Sequence, residues 1–156
     1  MTASEIKHST FVIERELPGR PRHAFRFWSE PGLKKLWTGC HPDWIVLEDR
    51  FDFRIGGEEA IRWRTPEGHE QSLRAHYLDI VPERRIIYAF AMTFKGESLS
   101  ASLATIELIP AGAATRMVFT EQIAFFGSAD AYSQRVVGTE AGFDRLVEVV
   151  AQQAGT

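Results

Sequence analysis

The sequence feature that most constrains the fold is a long amphipathic helix predicted at the carboxyl end of the chain, from Ser128 to Gln153. Its apolar side chains recur at the three- and four-residue spacing that places them on one helical face, at Phe143, Leu146, Val147 and Val150. Ser128 is a suitable N-cap, Asp130 stands in the positive first turn, and Gly155 is a suitable stop. At about 1.5 Å per residue the helix is roughly 35–40 Å long. Its apolar stripe therefore needs a broad apolar surface to lie against.

Most of the preceding chain has the alternation and the turn signals of β-strands. Residues 8–17 predict a first strand, Pro21 opens a short helix, and Leu33 to Trp37 form a second helical turn. Further strands are predicted at residues 44–48, 51–55, 59–64, 71–80, 86–94, 99–109 and 115–123. This order predicts an α+β fold, in which a strongly curved antiparallel sheet wraps around the long helix and two short helices close one end. Residues 1–156 are expected to form a single domain.

Composition and charge exclude several classes of partner. The net charge is −3 and no cluster of Lys or Arg stands out, which argues against nucleic acid or an anionic membrane as a partner. No apolar run approaches the ~20 residues that span a bilayer, and the first ten residues lack the apolar core of a signal peptide. Cys40 is the single cysteine, so a reducing cytoplasm is the expected location.

Five blocks of the sequence resemble a known family. They are Pro21–Pro31 continuing to Trp37, Phe51–Gly57, Tyr77–Arg85, Thr115–Glu121, and Gly142-Phe143 with Leu146 and Val150. In this order they are similar to the helix-grip (SRPBCC) superfamily of START and Bet v 1-like domains. More narrowly, they resemble the branch named after the activator of the Hsp90 ATPase. The last block is similar to the "GW…L…L" signature of the family's final helix, with Phe143 in place of Trp.

The resemblance implies the helix-grip fold and leaves three functions open. Relatives in the wider superfamily bind lipids, sterols, plant hormones or polyketides, so the first hypothesis is a binding protein for a hydrophobic small molecule. The second is a cyclase, aromatase or lyase that uses the same cavity. The third is a stress-response protein that associates with a chaperone, although the family's two-domain co-chaperone has a separate Hsp90-binding domain for which this chain has no room. A homodimer through exposed strands is also possible. Fold alone does not choose among these functions.

Two polar residues are candidates for chemistry inside a cavity. If Met117 and Phe119 face inward, alternation places Glu121 on the same face, where it is either a ligand-binding group or general base, or a rim residue that meets solvent or an Arg. His76 shares a strand face with Leu78 and Ile80, and with Glu121 it would form the simplest acid–base couple. The alternatives for His76 are a place on the convex face of the sheet or a hydrogen bond to a neighbouring strand.

Large aromatic side chains and two glycines complete the predicted ligand site. The aromatic residues either line a pocket or pack as ordinary core. Gly138 and Gly142 stand four apart near the middle of the final helix, where they either permit a bend or close packing, or leave room for a ligand. The predicted ligand-binding set is Trp28, Trp37, Trp63, His76, Tyr88, Phe90, Met117, Phe119, Glu121, Gly142 and Phe143.

The sequence contains no convincing metal, cofactor or nucleophile signature. Cys40, His41 and Asp43 are close together, but no second Cys and no His at zinc-like spacing completes a ligand set. Gly56-Gly57 precedes a strand rather than a helix, unlike a phosphate-binding loop. We therefore assign no catalytic residue, no metal site and no cofactor from the sequence.

Overall fold

The computed structural model of the protein describes residues 6–39 and 42–153. These residues form seven strands and three helices, in the chain order β1 (Lys7–Pro18), α1 (Pro21–Ser29), α2 (Pro31–Thr38), β2 (Ile45–Phe51), β3 (Glu58–Arg64), β4 (Glu70–Val81), β5 (Arg85–Phe94), β6 (Glu97–Ala111), β7 (Ala114–Phe125) and α3 (Ala129–Gln153). Among them, no helix combines the length and the apolarity needed to span a bilayer.

All seven strands belong to one antiparallel sheet with the order β1-β7-β6-β5-β4-β3-β2. Strands β2 to β7 form a meander, and the first strand of the chain pairs with the last, from Lys7↔Phe125 to Pro18↔Ala114. Long antiparallel strands twist and curl, and this sheet curves around α3. The predicted α+β fold, with its curved sheet, long C-terminal helix and two short helices after the first strand, is confirmed.

One predicted strand is wrong. Residues 51–55 do not form a strand of their own, because β2 ends at Phe51 and the chain reverses there to pair with β3 at Phe51↔Glu59. The reversal is tight: a Cβ on Gly57 would lie 2.1 Å from the carbonyl oxygen of Asp52, so only glycine fits. Tyr77 then donates its backbone N–H to Gly57 across 3.0 Å, which fixes the entry into β3 next to β4.

The three helices pack on the concave side of the sheet through a few large side chains. Helix α1 buries Ala24, Phe27 and Trp28, α2 buries Lys34 and Trp37, and α3 buries Phe143, Leu146 and Val150. The predicted N-cap is confirmed, because the backbone N–H of Ala131 donates to the Ser128 hydroxyl across 3.1 Å. The predicted stop at Gly155 lies outside the described residues. The second half of α3 is thus anchored in the core, whereas no residue of its first half is fully buried.

Candidate functional site

A cavity of about 390 Å³ lies between the concave face of the sheet and the middle of α3. Seven aromatic side chains line it: Trp28, Trp37, Trp63, Tyr88, Phe90, Phe119 and Phe143. Ile61, Leu73 and Met92 add aliphatic surface. A groove of about 520 Å³ between α2 and strands β2–β3 adjoins the cavity, and the two share Lys34, Thr38, Glu59, Ile61 and Trp63. The cavity is therefore apolar in the main and has an outer mouth beside α2.

The two glycines of α3 line this cavity without packing against the sheet. A Cβ added at Gly138 or at Gly142 would meet no atom within 4 Å. The interpretation that these glycines permit close packing is therefore wrong, because the space beside them is empty. Each glycine destabilises a helix interior by roughly 1 kcal/mol relative to alanine. The helix thus carries two unfavourable residues where it faces the cavity.

The first polar group of the cavity is a buried ion pair between β7 and α3. Glu121 is 1% exposed, and its carboxylate accepts hydrogen bonds from the Ser102 hydroxyl at 2.7 Å and from Nη1 of Arg135 at 3.2 Å. Nη2 of Arg135 donates to the Ser100 hydroxyl at 2.7 Å. Burial raises the pKa of Glu121 above its ordinary value, and the Ser102 hydrogen bond and the Arg135 charge oppose that rise. Burial lowers the pKa of Arg135, and Glu121 opposes that change.

The second polar group is a triangle between α2, β3 and β4. Nζ of Lys34 donates to Oε1 of Glu59 at 2.7 Å and to the Tyr77 hydroxyl at 3.1 Å, and that hydroxyl donates to the same Oε1 at 3.1 Å. The ammonium also lies 4.7 Å from the centre of the Phe51 ring. The side chains of Lys34 and Glu59 are 10% and 9% exposed. Burial, followed by the charge of Glu59, raises the pKa of Tyr77 far above its ordinary value.

Tyr88 lies between these two groups on the central strand. It is half-buried, and it lines the cavity. Its hydroxyl makes no hydrogen bond to any residue in the ranges 6–39 and 42–153. Burial raises the pKa of Tyr88 strongly, and the charges of Glu59 and Glu121 raise it further. The phenol is therefore held in its protonated form.

An aromatic cluster closes the end of the cavity beneath α1 and α2. The centre of the Phe143 ring lies 6.1 Å from the centre of the Trp28 ring, 5.9 Å from that of Trp37 and 4.8 Å from that of Phe119. Nε1 of Trp37 donates to the carbonyl of Phe27 at 2.9 Å. Within the described part of the chain, the buried Nε1 of Trp28 has no hydrogen-bond partner. The residue that replaces the signature Trp thus occupies the centre of this cluster.

The structure brings most of the predicted site together. The residues that line the cavity are Trp28, Trp37, Trp63, Tyr88, Phe90, Phe119, Glu121, Gly142 and Phe143. Met117 is fully buried on the inward face of β7, as alternation predicts, but it belongs to the core and is absent from the cavity wall. Whether any of these residues binds a ligand stays a prediction.

The predicted placement of His76 in the cavity is wrong. His76 is exposed on the convex face of the sheet, where its Nδ1 lies 3.4 Å from a carboxylate oxygen of Glu58. The alternation predicted from the sequence breaks at a β-bulge between Tyr77 and Asp79. Because Ala75 and Tyr77 point inward before the bulge, His76 points outward. The proposed Glu121–His76 acid–base couple is therefore not formed.

Sequence analysis missed four charged residues of the cavity: Lys34, Glu59, Arg135 and Arg145. Two of them had a usable signal. Glu59 has the same strand parity as Ile61 and Trp63, and Arg135 precedes Gly138 by three residues, the spacing of one helical face. The pattern around Lys34 gave weaker guidance, because lysine is rarely buried without a partner and its partners Glu59 and Tyr77 are distant in sequence.

The structure gives little information on the Cys40, His41 and Asp43 group that the sequence analysis considered as metal ligands. Cys40 and His41 lie outside the described residues, so the structure does not locate that cluster. Within the described residues, no three His, Cys, Asp or Glu side chains are grouped so that they could hold a metal ion.

A curved antiparallel sheet around one long helix, with a cavity between them, defines the helix-grip class. The sequence matches the family "Activator of Hsp90 ATPase homolog 1-like protein" over residues 19–151, and the chain belongs to this family. The resemblance inferred from the five sequence blocks is thereby confirmed. A search of curated proteins found no match.

Solved structures of bacterial proteins are similar to this chain over nearly its whole length. An uncharacterized protein from Rhizobium leguminosarum is 39% identical, with a TM-score of 0.88, and the match covers 96% of this chain and 98% of that one. A protein from Rhizobium loti is 36% identical, with a TM-score of 0.86 and coverage of 93% and 99%. A protein from Nitrosomonas europaea is 22% identical, with a TM-score of 0.72 and coverage of 94% and 97%, and supports the fold alone.

Proposed function

We propose that this protein binds a mostly apolar small molecule in the cavity between the sheet and α3. One observation carries the proposal: an apolar space of about 390 Å³ lies beneath a helix whose two central glycines face it. Protein interiors normally leave few voids larger than a water molecule. The volume falls near the lower end of the roughly 300–1,000 Å³ typical of ligand pockets. The preferred ligand is accordingly compact.

The chemistry of the wall supports the same function. Seven aromatic side chains from α1, α2, α3 and the sheet line the cavity, and the buried ion pairs among the described residues lie at two places on its wall. Apolar walls with a few fixed polar groups are typical of small-molecule sites. Membership of a family with a ligand-binding fold adds support of a general kind.

The other two functions have less support. The enzyme hypothesis in its Glu121–His76 form is wrong, because His76 is exposed on the other face of the sheet. A chaperone partner, a role in stress response, a homodimer and a cytoplasmic location stay predictions from the sequence.

The proposal is tested by measuring how a substitution on α3 that fills the cavity affects ligand binding. Wild-type protein is titrated with 1-aminoanthracene, an uncharged fluorescent aromatic probe, and we expect saturable binding. The variant Gly142→Leu places a large side chain in the empty space beneath the helix, and we expect it to abolish that binding while the folded protein keeps its thermal stability.

The matched control is Gly32→Leu. Gly32 is also a helical glycine whose added Cβ would meet no atom within 4 Å, but it lies exposed on α2 and does not line the cavity. This variant should bind the probe as the wild type does. Saturable binding that survives in folded Gly142→Leu, or no saturable binding by the wild type, would refute the proposed function.

A further inference from the structure

Strand register and one hydrogen bond place Glu121, Tyr88, Tyr77 and Glu59 in one row across the concave face of the sheet. Ala104 on β6 pairs with Glu121 on β7 and with Tyr88 on β5, and Tyr88 pairs with Tyr77 on β4. Tyr77 in turn donates its hydroxyl to Glu59 on β3. From β7 to β3 the row crosses four strand spacings, or about 19 Å at roughly 4.8 Å per spacing. We call Glu121, Ala104, Tyr88, Tyr77 and Glu59 the polar row.

Each end of the polar row is already neutralised. Arg135 neutralises Glu121 at one end, and Lys34 neutralises Glu59 at the other. Arg145, a further charged residue of the lining, is exposed and donates its Nε to the carbonyl of Trp37. A charged ligand group beside Tyr88 would therefore find each buried charged residue of the described lining already paired, and an unpaired buried charge is strongly unfavourable.

The middle of the polar row differs from its ends. The Tyr88 hydroxyl has no partner among the described residues, whereas the Tyr77 hydroxyl beside it has two. On the other side of Tyr88 stands Ala104, a fully buried residue that separates Tyr88 from Glu121 in the row. A cavity-facing hydroxyl without a partner is unfavourable once a ligand excludes water from it. Because burial, followed by the charges of Glu59 and Glu121, raises the pKa of Tyr88, the phenol that lines the cavity is placed to donate its hydrogen.

We propose that the ligand is an uncharged aromatic carbonyl compound whose oxygen accepts a hydrogen bond from Tyr88, and that the cavity discriminates against carboxylates of the same size. This inference rests on the proposed function and deepens it. Aromatic rings of the ligand lie against Phe90, Phe119 and Phe143, which contribute to the cavity wall. The two ion pairs act as fixed ends, and Tyr88 supplies a hydrogen bond that orients the ligand.

The test uses three molecules with the same ring system. 2-Acetylnaphthalene carries an uncharged carbonyl, 2-naphthoate carries a carboxylate, and 2-ethylnaphthalene carries neither. Each displaces 1-aminoanthracene from the wild-type protein at neutral pH. One hydrogen bond contributes about 0.5–1.5 kcal/mol, so the ketone should bind roughly 2- to 12-fold more tightly than the hydrocarbon. The naphthoate should bind more weakly than the ketone.

Variants assign this preference to Tyr88. In Tyr88→Phe the preference for the ketone over the hydrocarbon should disappear, while the affinity for the hydrocarbon changes less than about 2-fold. Tyr132→Phe is the matched control, because the Tyr132 hydroxyl bonds Ser9 and the residue does not line the cavity. This variant should keep the preference.

A measurement on the wild type makes the test independent of how the variants fold. The infrared carbonyl stretch of bound 2-acetylnaphthalene should shift to lower frequency, as in a hydrogen-bonded ketone. A naphthoate that binds more tightly than the ketone, an unshifted carbonyl band, or a ketone preference that survives in Tyr88→Phe would overturn this inference. If 1-aminoanthracene itself fails to bind, the proposed function fails as well.

Discussion

Replacing Arg135 with Met should make the stability of the protein fall steeply as the pH rises. Met keeps much of the apolar stem of Arg and removes its charge. Glu121 is then left 1% exposed with the Ser102 hydroxyl as its remaining partner. Two of the three interactions that lower its pKa come from Arg135, so in the variant burial raises the pKa of Glu121 further. Ionised Glu121 would be a buried charge without a counter-ion.

The sign of the pH dependence follows from proton binding. Between the unfolded and the folded pKa of Glu121, the folded variant holds one proton that the unfolded chain has released, so the free energy of unfolding decreases by about 1.4 kcal/mol per pH unit. The stability is fully present below the ordinary glutamate pKa of about 4.3 and is lost as the pH rises through the folded pKa. Removing one partner of a buried pair typically costs about 3–5 kcal/mol, which sets the expected loss at pH 8.

The assay is urea unfolding followed by tryptophan fluorescence at pH 5 and pH 8, with the free energy taken by linear extrapolation. The reference is the double variant Glu121→Gln/Arg135→Met, which carries neither charge. The single variant should lie within about 1 kcal/mol of the double variant near pH 5 and be less stable by roughly 3–5 kcal/mol at pH 8.

A surface pair provides the control. Arg85→Met removes a 2.6 Å ion pair with Asp79, in which the two side chains are 48% and 34% exposed. It should change stability by less than about 1 kcal/mol at either pH. If Arg135→Met is as stable as the wild type at pH 8, or if its stability relative to the double variant does not depend on pH, the buried ion pair described above is wrong.

Two further predictions concern the aromatic side chains. Phe143→Ala, at a residue that is 3% exposed and central to the aromatic cluster, should reduce the free energy of unfolding by about 3–5 kcal/mol in urea titrations; Val137→Ala, at a residue that is 65% exposed on the same helix, should change it by less than about 0.5 kcal/mol. Equal effects would contradict the assigned core. Because burial raises the pKa of Tyr77 and Tyr88, Tyr88→Phe should leave the near-ultraviolet absorbance change of the folded protein between about pH 9 and pH 11 unaltered. A reduced change would show that Tyr88 ionises in the folded state.

Short-range patterns in the sequence were enough to predict the architecture. Helix periodicity marked the stripe from Phe143 to Val150, and a polar residue before an acidic first turn marked the N-cap at Ser128. Alternation along β7 placed Glu121 on the inward face next to Met117 and Phe119. These signals work because helix and strand periods are local properties of the backbone. The sequence could suggest an empty space beside Gly142, but only the structure could reject the alternative that this glycine permits close packing.

Tertiary structure decided which side chains meet in the cavity. Glu121 pairs with an arginine fourteen residues later, and Lys34 pairs with a glutamate twenty-five residues later, so neither pair follows from a local pattern. A single bulge after Tyr77 changed the alternation on which the placement of His76 depended. The sequence by itself determined the order of the elements and the faces of the regular ones. Register, bulges and long-range pairing determined the polar row, because they depend on how distant strands align.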